Sequence, residues 1–423
     1  MSTYITELCQ FLDDGISPYH TVAQAAEYLE NHGFSPLSIA GDFSQVTRGG
    51  KYYIANGTFL AAFSVGEENF FRVAASHTDW PCLRIKPTPE QTAGGCLKLT
   101  VEPYGGGIFS TWMDRPLSLA GTVLLETEDP MKPEIRLISW GEPILTIPNL
   151  AIHMNRDANH GASFKPNVDM LPLCRTIEDD FNKNGYLRGK IAEKLEVNPD
   201  AILSFELYGY CTEPATIVGF EKDLLSSPRL DNLCSVHSCL YGITHCESPR
   251  GINIAALYDN EEIGSNTRRG GDSLTLSFLM EKVALALGMS PMEYRNACLS
   301  GMLLSCDGAH AAHPNHMEYA DGPQAPMLNR GVVLKRSPRY SSDAETCGII
   351  CGLCRKENIP LQIYMNRADL PGGSTVGSMA SSILAMPAAD VGIPMLAMHS
   401  ACELMGTKDQ KALCDLCTAF FRA

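Results

Sequence analysis

The spacing of apolar positions changes several times along the chain, and each change predicts a different element. Residues 5 to 33 repeat apolar side chains at helical period, and SPYHTVAQAAEYLENHGF supplies a helix start and a glycine stop, predicting two helices. Strict alternation in KYYIANGTFLAAFSV predicts a hairpin turning at Asn56-Gly57. NFFRVAASHTD then reads as an apolar strand whose far end releases polar residues. Between 88 and 220 the texture shifts to short alternating strands, GGCLKLTVEPYGG, LAGTVLLETED and EIRLISW, punctuated by Gly, Pro and Asp. That stretch is expected to be an inserted β-rich module. After 230 a helix-like LDNLCSVHSCLYGITH, a buried strand GINIAALYD, a helix SLTLSFLMEKVALALGM and a strand ACLSGMLLSCDGAH follow one another. Strands alternating with helices predict an α/β fold: a doubly wound mixed sheet, mainly parallel and covered on both faces. Its domain is discontinuous, residues 1–87 and 221–423, around the insertion 88–220. Ligands gather at the carboxyl ends of such strands.

Composition narrows the class. The 423 residues suit two domains, or one large domain with an insertion, and a hydrophobic content of 45% supplies buried sheets. A formal net charge of −15 argues against nucleic acid or an anionic membrane as partner, since both would be repelled. The opening MSTYITELCQFLDDG lacks a basic region followed by an apolar core, and no run of about 18 apolar residues occurs. A soluble, cytoplasmic protein is expected. Sixteen cysteines then read as free, buried thiols. Two CxxC pairs, Cys351/Cys354 and Cys414/Cys417, are too far apart for a four-cysteine zinc site and fall in helix-like stretches, where the spacing means a shared face.

The candidate chemistry starts at YDNEEIGS, where Glu261 and Glu262 stand side by side. Like charges so close ask for a positive centre. His77 and Asp79 end one predicted strand, Asp231 opens a helix, Asp307 ends another strand and His399 lies near the C-terminus. Taken singly, Asp231 is explained as a helix cap, either histidine as a core residue, and the glutamates as a solvated loop. Their joint occurrence at element boundaries points instead to a hydrolytic metal centre, because imidazole and carboxylate donors without thiolate suit zinc, manganese or cobalt. Five such groups fit two metals sharing one carboxylate. Neighbouring glutamate side chains diverge, so one can bind metal while the other takes a proton from the attacking water. Asp79, two residues beyond His77, is placed to orient the imidazole or modulate the metal.

These residues resemble the M18 family of metalloaminopeptidases, the aspartyl aminopeptidase group. FLDDGISPYHTV, SHTDWPCLRIKP, IPNLAIHMNR, PRLDNLCSVHS, LYDNEEIGS, CDGAHAAHPN and LAMHSACEL occur in family order almost from end to end. The resemblance implies two divalent ions, zinc first and manganese or cobalt as substitutes. It implies that Asp231 bridges them, that His77 and Asp307 complete one site and Glu262 and His399 the other, and that Glu261 is the general base. It makes 88–220 an oligomerisation domain and the assembly similar to a dodecamer built from dimers. His153 in IPNLAIHMNR, by spacing alone a surface histidine, becomes a residue that crosses into a neighbouring subunit's site and stabilises the oxyanion. Lys335 in GVVLKRSPRY becomes a binder of acidic side chains, with Tyr340 nearby. A lysine in a loop is ordinarily solvated, but one inside a pocket would answer how so acidic a protein attracts an acidic substrate. His310 and His313 read as pocket-wall groups, and Arg367 either pairs with a substrate carboxylate or holds its loop.

Trp80 after HTD, and Ala368 and Gly372 in RADLPGGST, depart from the family pattern and bear on pocket shape. The function implied is removal of an N-terminal residue, preferably Asp or Glu, from peptides with a free N-terminus. Alternatives are the same chemistry with a neutral, Leu-type preference, a non-catalytic assembly or cargo protein of the same fold, and a carboxypeptidase or deacylase.

Overall fold

The computed structural model describes residues 3–370 and 372–423; Met1, Ser2 and Pro371 lie outside the described residues. The chain divides into two compact units, one running to Trp80 and then comprising Ala215–Met398 and Glu403–Ala423, the other Pro81–Pro214 with His399–Cys402.

The first unit is built on a mixed sheet whose four middle strands are parallel neighbours: Ile252–Tyr258, Phe71–His77, Met302–Cys306 and Ala388–Gly392. Antiparallel pairs flank them, Phe59–Val65 on one side and Val332–Lys335 on the other. The expected hairpin is present, with Lys51–Asn56 pairing Phe59–Val65 and Asn56 opposite Phe59 around the Asn56-Gly57 turn. All seven residues of INIAALY and all five of MLLSC are buried, as continuous apolar runs in strands covered on both faces should be. Val73, Ala75, Ile254, Ala256 and Leu303 share one core cluster with Leu279, Met280 and Val283 of the Thr275–Ala286 helix. The predicted helices at the start of the chain are Thr3–Asp14 and Pro18–Asn31, the second capped by Ser17 and opened by proline. A smaller sheet carries Thr216–Val218, Leu224–Ser227, Glu403–Gly406, Pro394–Leu396 and Ala309–His310.

The second unit holds a six-stranded, wholly antiparallel sheet. It begins soon after His77 because Cys82–Ala93 already belongs to that sheet, and it ends at Pro214 because Thr216–Val218 pairs with strands of the first unit. A helix, Tyr186–Leu195, interrupts its β texture.

No cysteine is in a disulfide, and no helix among the described residues is long and apolar enough to cross a membrane. Leu303 is fully buried on a strand that ends at the candidate site. Leu303→Ala is expected to destabilise the first unit by about 2–5 kcal/mol, read as a lower midpoint in thermal or urea unfolding.

Candidate metal centre

The parallel strands deliver their chemistry at one edge. His77 is the last residue of its strand and pairs in register with Tyr258, so the segment that follows Tyr258 emerges beside it. Asp307 follows directly on Met302–Cys306. Asp231 lies at the head of Leu230–Thr244 but is not helical: φ −82° and ψ 107° hold it extended ahead of the helix. Two hydrogen bonds fix that entry, the Asp231 N–H donating to Glu403 Oε2 at 2.8 Å and the Asn232 side chain to the Cys306 carbonyl at 2.9 Å. The helix head is thereby tied to the strand end that presents Asp307. Gly308 matters here for its lack of a side chain, because a Cβ would stand 3.2 Å from Asp231 Cγ and 2.9 Å from the Met398 methyl.

His77 Nδ1 donates to the Asp79 carbonyl at 3.0 Å, which leaves Nε2 as the nitrogen that a cation would take in exchange for its proton. Nε2 faces Asp307 Oδ1 at 3.4 Å and Asp231 Oδ1 at 3.6 Å. His77, Asp231 and Asp307 are all buried, and their donor atoms lie within 4.8 Å of one another; His77, Glu261 and Glu262 form a second such group. The Asp79 carboxylate, fully buried, accepts the Glu261 N–H at 3.2 Å and the Glu262 N–H at 3.1 Å. Asp79 thus does more than the sequence suggested: its carbonyl orients the imidazole while its carboxylate anchors the turn bearing both glutamates. That turn, Glu261–Ile263, is entered through Asn260 at φ 63°, a left-handed conformation that asparagine tolerates.

The electrostatics are those of crowded anions. Glu261 is pushed up to about 8 by burial; His77 opposes this, while Asp307, Asp79 and Asp231 add to it. Burial pulls His77 down, but Asp307 and Asp79 together raise it well above the usual imidazole range. Lys335 is buried at the end of Val332–Lys335, not in a solvated loop; burial lowers its pKa, and Asp307, Tyr340, Asp390 and Asp231 more than restore it. Its Nζ stands 5.3 Å from the Tyr340 ring centre. An imidazole with buried and half-buried carboxylates, short of positive charge, is a donor set that a hard or borderline divalent cation fits.

His310 and Arg367 line a cavity of about 220 Å³ with His313 and Tyr364. Arg367 is engaged by Asp369 of its own loop, 2.7 Å from Nε, and by the Glu318 carbonyl of the Met317–Tyr319 turn, which favours the loop-holding reading. His399 belongs to the second unit, at φ 69°, with Nδ1 donating to the Gly106 carbonyl at 3.2 Å, so that Nε2 carries the lone pair. His153 is exposed in a turn of that unit, among exposed Leu150, Ile152 and Met154. Glu403 and Asn232, which the sequence did not single out, both lie inside the LAMHSACEL and PRLDNLCSVHS motifs; an acid four residues after a candidate ligand is the one local signal, and its burial against Asp231 is visible only in the fold.

An α/β sheet presenting a buried imidazole–carboxylate cluster at the carboxyl ends of parallel strands defines a metallohydrolase, and comparison with known proteins narrows this to a peptidase. The family model for aminopeptidase I zinc metalloproteases (M18) matches residues 11–421. A probable M18 family aminopeptidase 2 of Clostridium novyi is 39% identical over 414 residues, 96% of this chain and 95% of that protein. Another, of Pseudomonas entomophila, is 35% identical over 425 residues, 98% and 97% of the two chains. Among solved structures, one of a complex of Ape4 and Nbr1 matches with a TM-score of 0.94 at 31% identity, covering 99% of this chain and 85% of that one. The S. cerevisiae mApe1 dodecamer matches at 0.86 and 26% identity, covering 99% and 96%. The chain belongs to the M18 family of zinc aminopeptidases.

Metal removal should expose the anion crowding as a pH dependence. Glu261 (to about 8) and Asp259 (to about 7, by burial and Asp79) have folded pKa values above those of the open chain, and His77 moves the same way. Such groups favour folding below their unfolded pKa and lose that contribution as pH rises through the folded value; Asp307, shifted downward, contributes evenly over this range. Chelator-treated protein should therefore show a falling melting temperature from about pH 5 to about pH 8, with zinc restoring most of it at the upper end.

Proposed function

We propose that this aminopeptidase removes an N-terminal acidic residue from peptides using a pair of divalent ions. The observation that carries the reading is the convergence of two donor groups on His77, one with Asp231 and Asp307, the other with Glu261 and Glu262. Zinc is the ion its family name supports, with manganese or cobalt as substitutes. Asp231 is assigned as the shared ligand, His77 and Asp307 to one ion, and Glu262 and His399 to the other. The lone pair left on His399 Nε2 supports its place, as does the bracketing of His399–Cys402 by first-unit residues in the chain. Bound ions supply Lewis acidity toward the scissile carbonyl and make a water easier to deprotonate.

The protein's own groups do the rest. Glu261, anchored through its N–H to Asp79, takes the proton of the attacking water on its carboxylate and passes it to the leaving amine nitrogen. Burial first, and then the neighbouring Asp307, Asp79 and Asp231, raise its proton affinity, and bound cations would offset the anions so that its carboxylate is ionised to accept that proton. Lys335 holds the acidic side chain of the substrate, with Tyr340 beside it; once Asp231 and Asp307 are committed to cations, its ammonium retains charge for a carboxylate. His310 contributes to the pocket wall. A second reading, neutral N-terminal preference, is favoured by the same neighbourhood, because Asp390 and Asp307 already oppose the Lys335 charge.

His153 is assigned to the site of a neighbouring subunit, where it stabilises the oxyanion. Support comes from the exposed apolar residues around it and from the mApe1 dodecamer, and the same considerations make this chain a homo-oligomer, a dodecamer built from dimers. Unpaired cysteines support a cytoplasmic location.

Glu261→Gln should lower kcat by roughly 100- to 10,000-fold with metal content unchanged. Wild-type turnover in that variant would remove Glu261 from the role of base. Assayed on Asp, Glu and Leu p-nitroanilides, the wild type should prefer the acidic pair, and Lys335→Met should reduce that preference roughly tenfold or more, mainly through KM. A Leu preference indifferent to Lys335→Met selects the second reading.

A further inference from the structure

Beneath the hydrolytic centre lies a second cluster of ligand atoms that the peptidase reaction does not use. Cys239 comes from the Leu230–Thr244 helix, Cys306 from the end of Met302–Cys306, and Cys417 from the Asp409–Arg422 helix. All three are fully buried, and their sulfurs lie within 4.8 Å of one another, Cys306 and Cys417 at 3.9 Å. Cys417 is thus grouped with thiols distant in sequence, whatever its CxxC spacing to Cys414.

We propose that Cys239, Cys306 and Cys417 form a separate three-thiolate site for a soft, monovalent d¹⁰ cation, cuprous copper. A cation bonded to three sulfurs at about 2.3 Å in a plane sets sulfur–sulfur edges of about 4.0 Å, the separation already present between Cys306 and Cys417. Tetrahedral zinc requires a fourth donor, and among the described residues no histidine, carboxylate or further cysteine joins this group. Thiolates select soft ions, while the imidazole–carboxylate set above suits harder ones, so softness sorts two metals in one protein.

A further observation points the same way. The hydroxyl of Ser76 is fully buried beside Cys239 and finds no partner of hydrogen-bonding geometry, a donor that a thiolate there would engage. Loading is a ligand exchange without redox change: each S–H bond that breaks is replaced by a sulfur–copper bond and releases one proton to solvent. Because the sulfurs are buried, entry requires local opening and is slow.

The test is prolonged anaerobic incubation of the zinc-loaded, full-length enzyme with cuprous ion buffered by bicinchoninate, followed by desalting, copper quantification and X-ray absorption at the copper edge. One retained copper per chain with three sulfur neighbours and no nitrogen or oxygen is expected. Cys417→Ser and Cys239→Ser should lose it, and Cys351→Ser should keep it. No retained copper in the wild type, equal retention in Cys417→Ser, zinc displacing copper from the thiols, or a shell with fewer than three sulfurs each overturns the proposal. Should both serine variants fail to fold by circular dichroism, the wild-type sulfur count decides.

Discussion

Charge repulsion among buried and half-buried carboxylates is the constraint around which the first unit is organised. Asp79, Asp231, Glu261, Glu262 and Asp307 gather about one imidazole at a sheet edge, and the protein itself offers Lys335 as the buried ammonium nearby. A carboxylate set of this kind is tolerated only with bound cations or with protons in their place, and burial together with the neighbouring aspartates raises Glu261 to about 8 in the protein alone. Affinity for metal and stability of the fold are therefore aspects of one balance.

Holding such groups together requires rigid backbone. Four parallel strands fix the spacing of His77, the glutamate turn and Asp307, while hydrogen bonds from Asp231 and Asn232 lock the adjoining helix head to the same edge. Asp79 links the imidazole to the glutamate turn through different atoms of one residue. Left-handed backbone at Asn260 and His399 lies where a side chain must be aimed, and Gly308 gives up its side chain so that Asp231 can approach.

The same first unit places soft ligands one layer deeper. Cys306 immediately precedes Asp307, and Ser76 immediately precedes His77, so the strands that present oxygen and nitrogen at the edge present sulfur and hydroxyl within. Strand alternation produces this division, since successive side chains point to opposite faces.

By itself the sequence determined the elements and the candidate chemistry. Continuous apolar runs such as INIAALY announced buried parallel strands, the Asn56-Gly57 hairpin followed from alternation, and an ordered set of motifs carried the family. These are local signals, set by side-chain period and turn chemistry over a few residues. Tertiary structure alone decided that the Asp79 carboxylate takes two N–H groups from the glutamate turn, that Glu403 holds Asp231, that Arg367 is engaged by its own loop, that Lys335 is buried, and that Cys417 meets Cys239 and Cys306. Each of these depends on which strands become neighbours and in what register, and register brings together residues hundreds of positions apart that no local pattern relates.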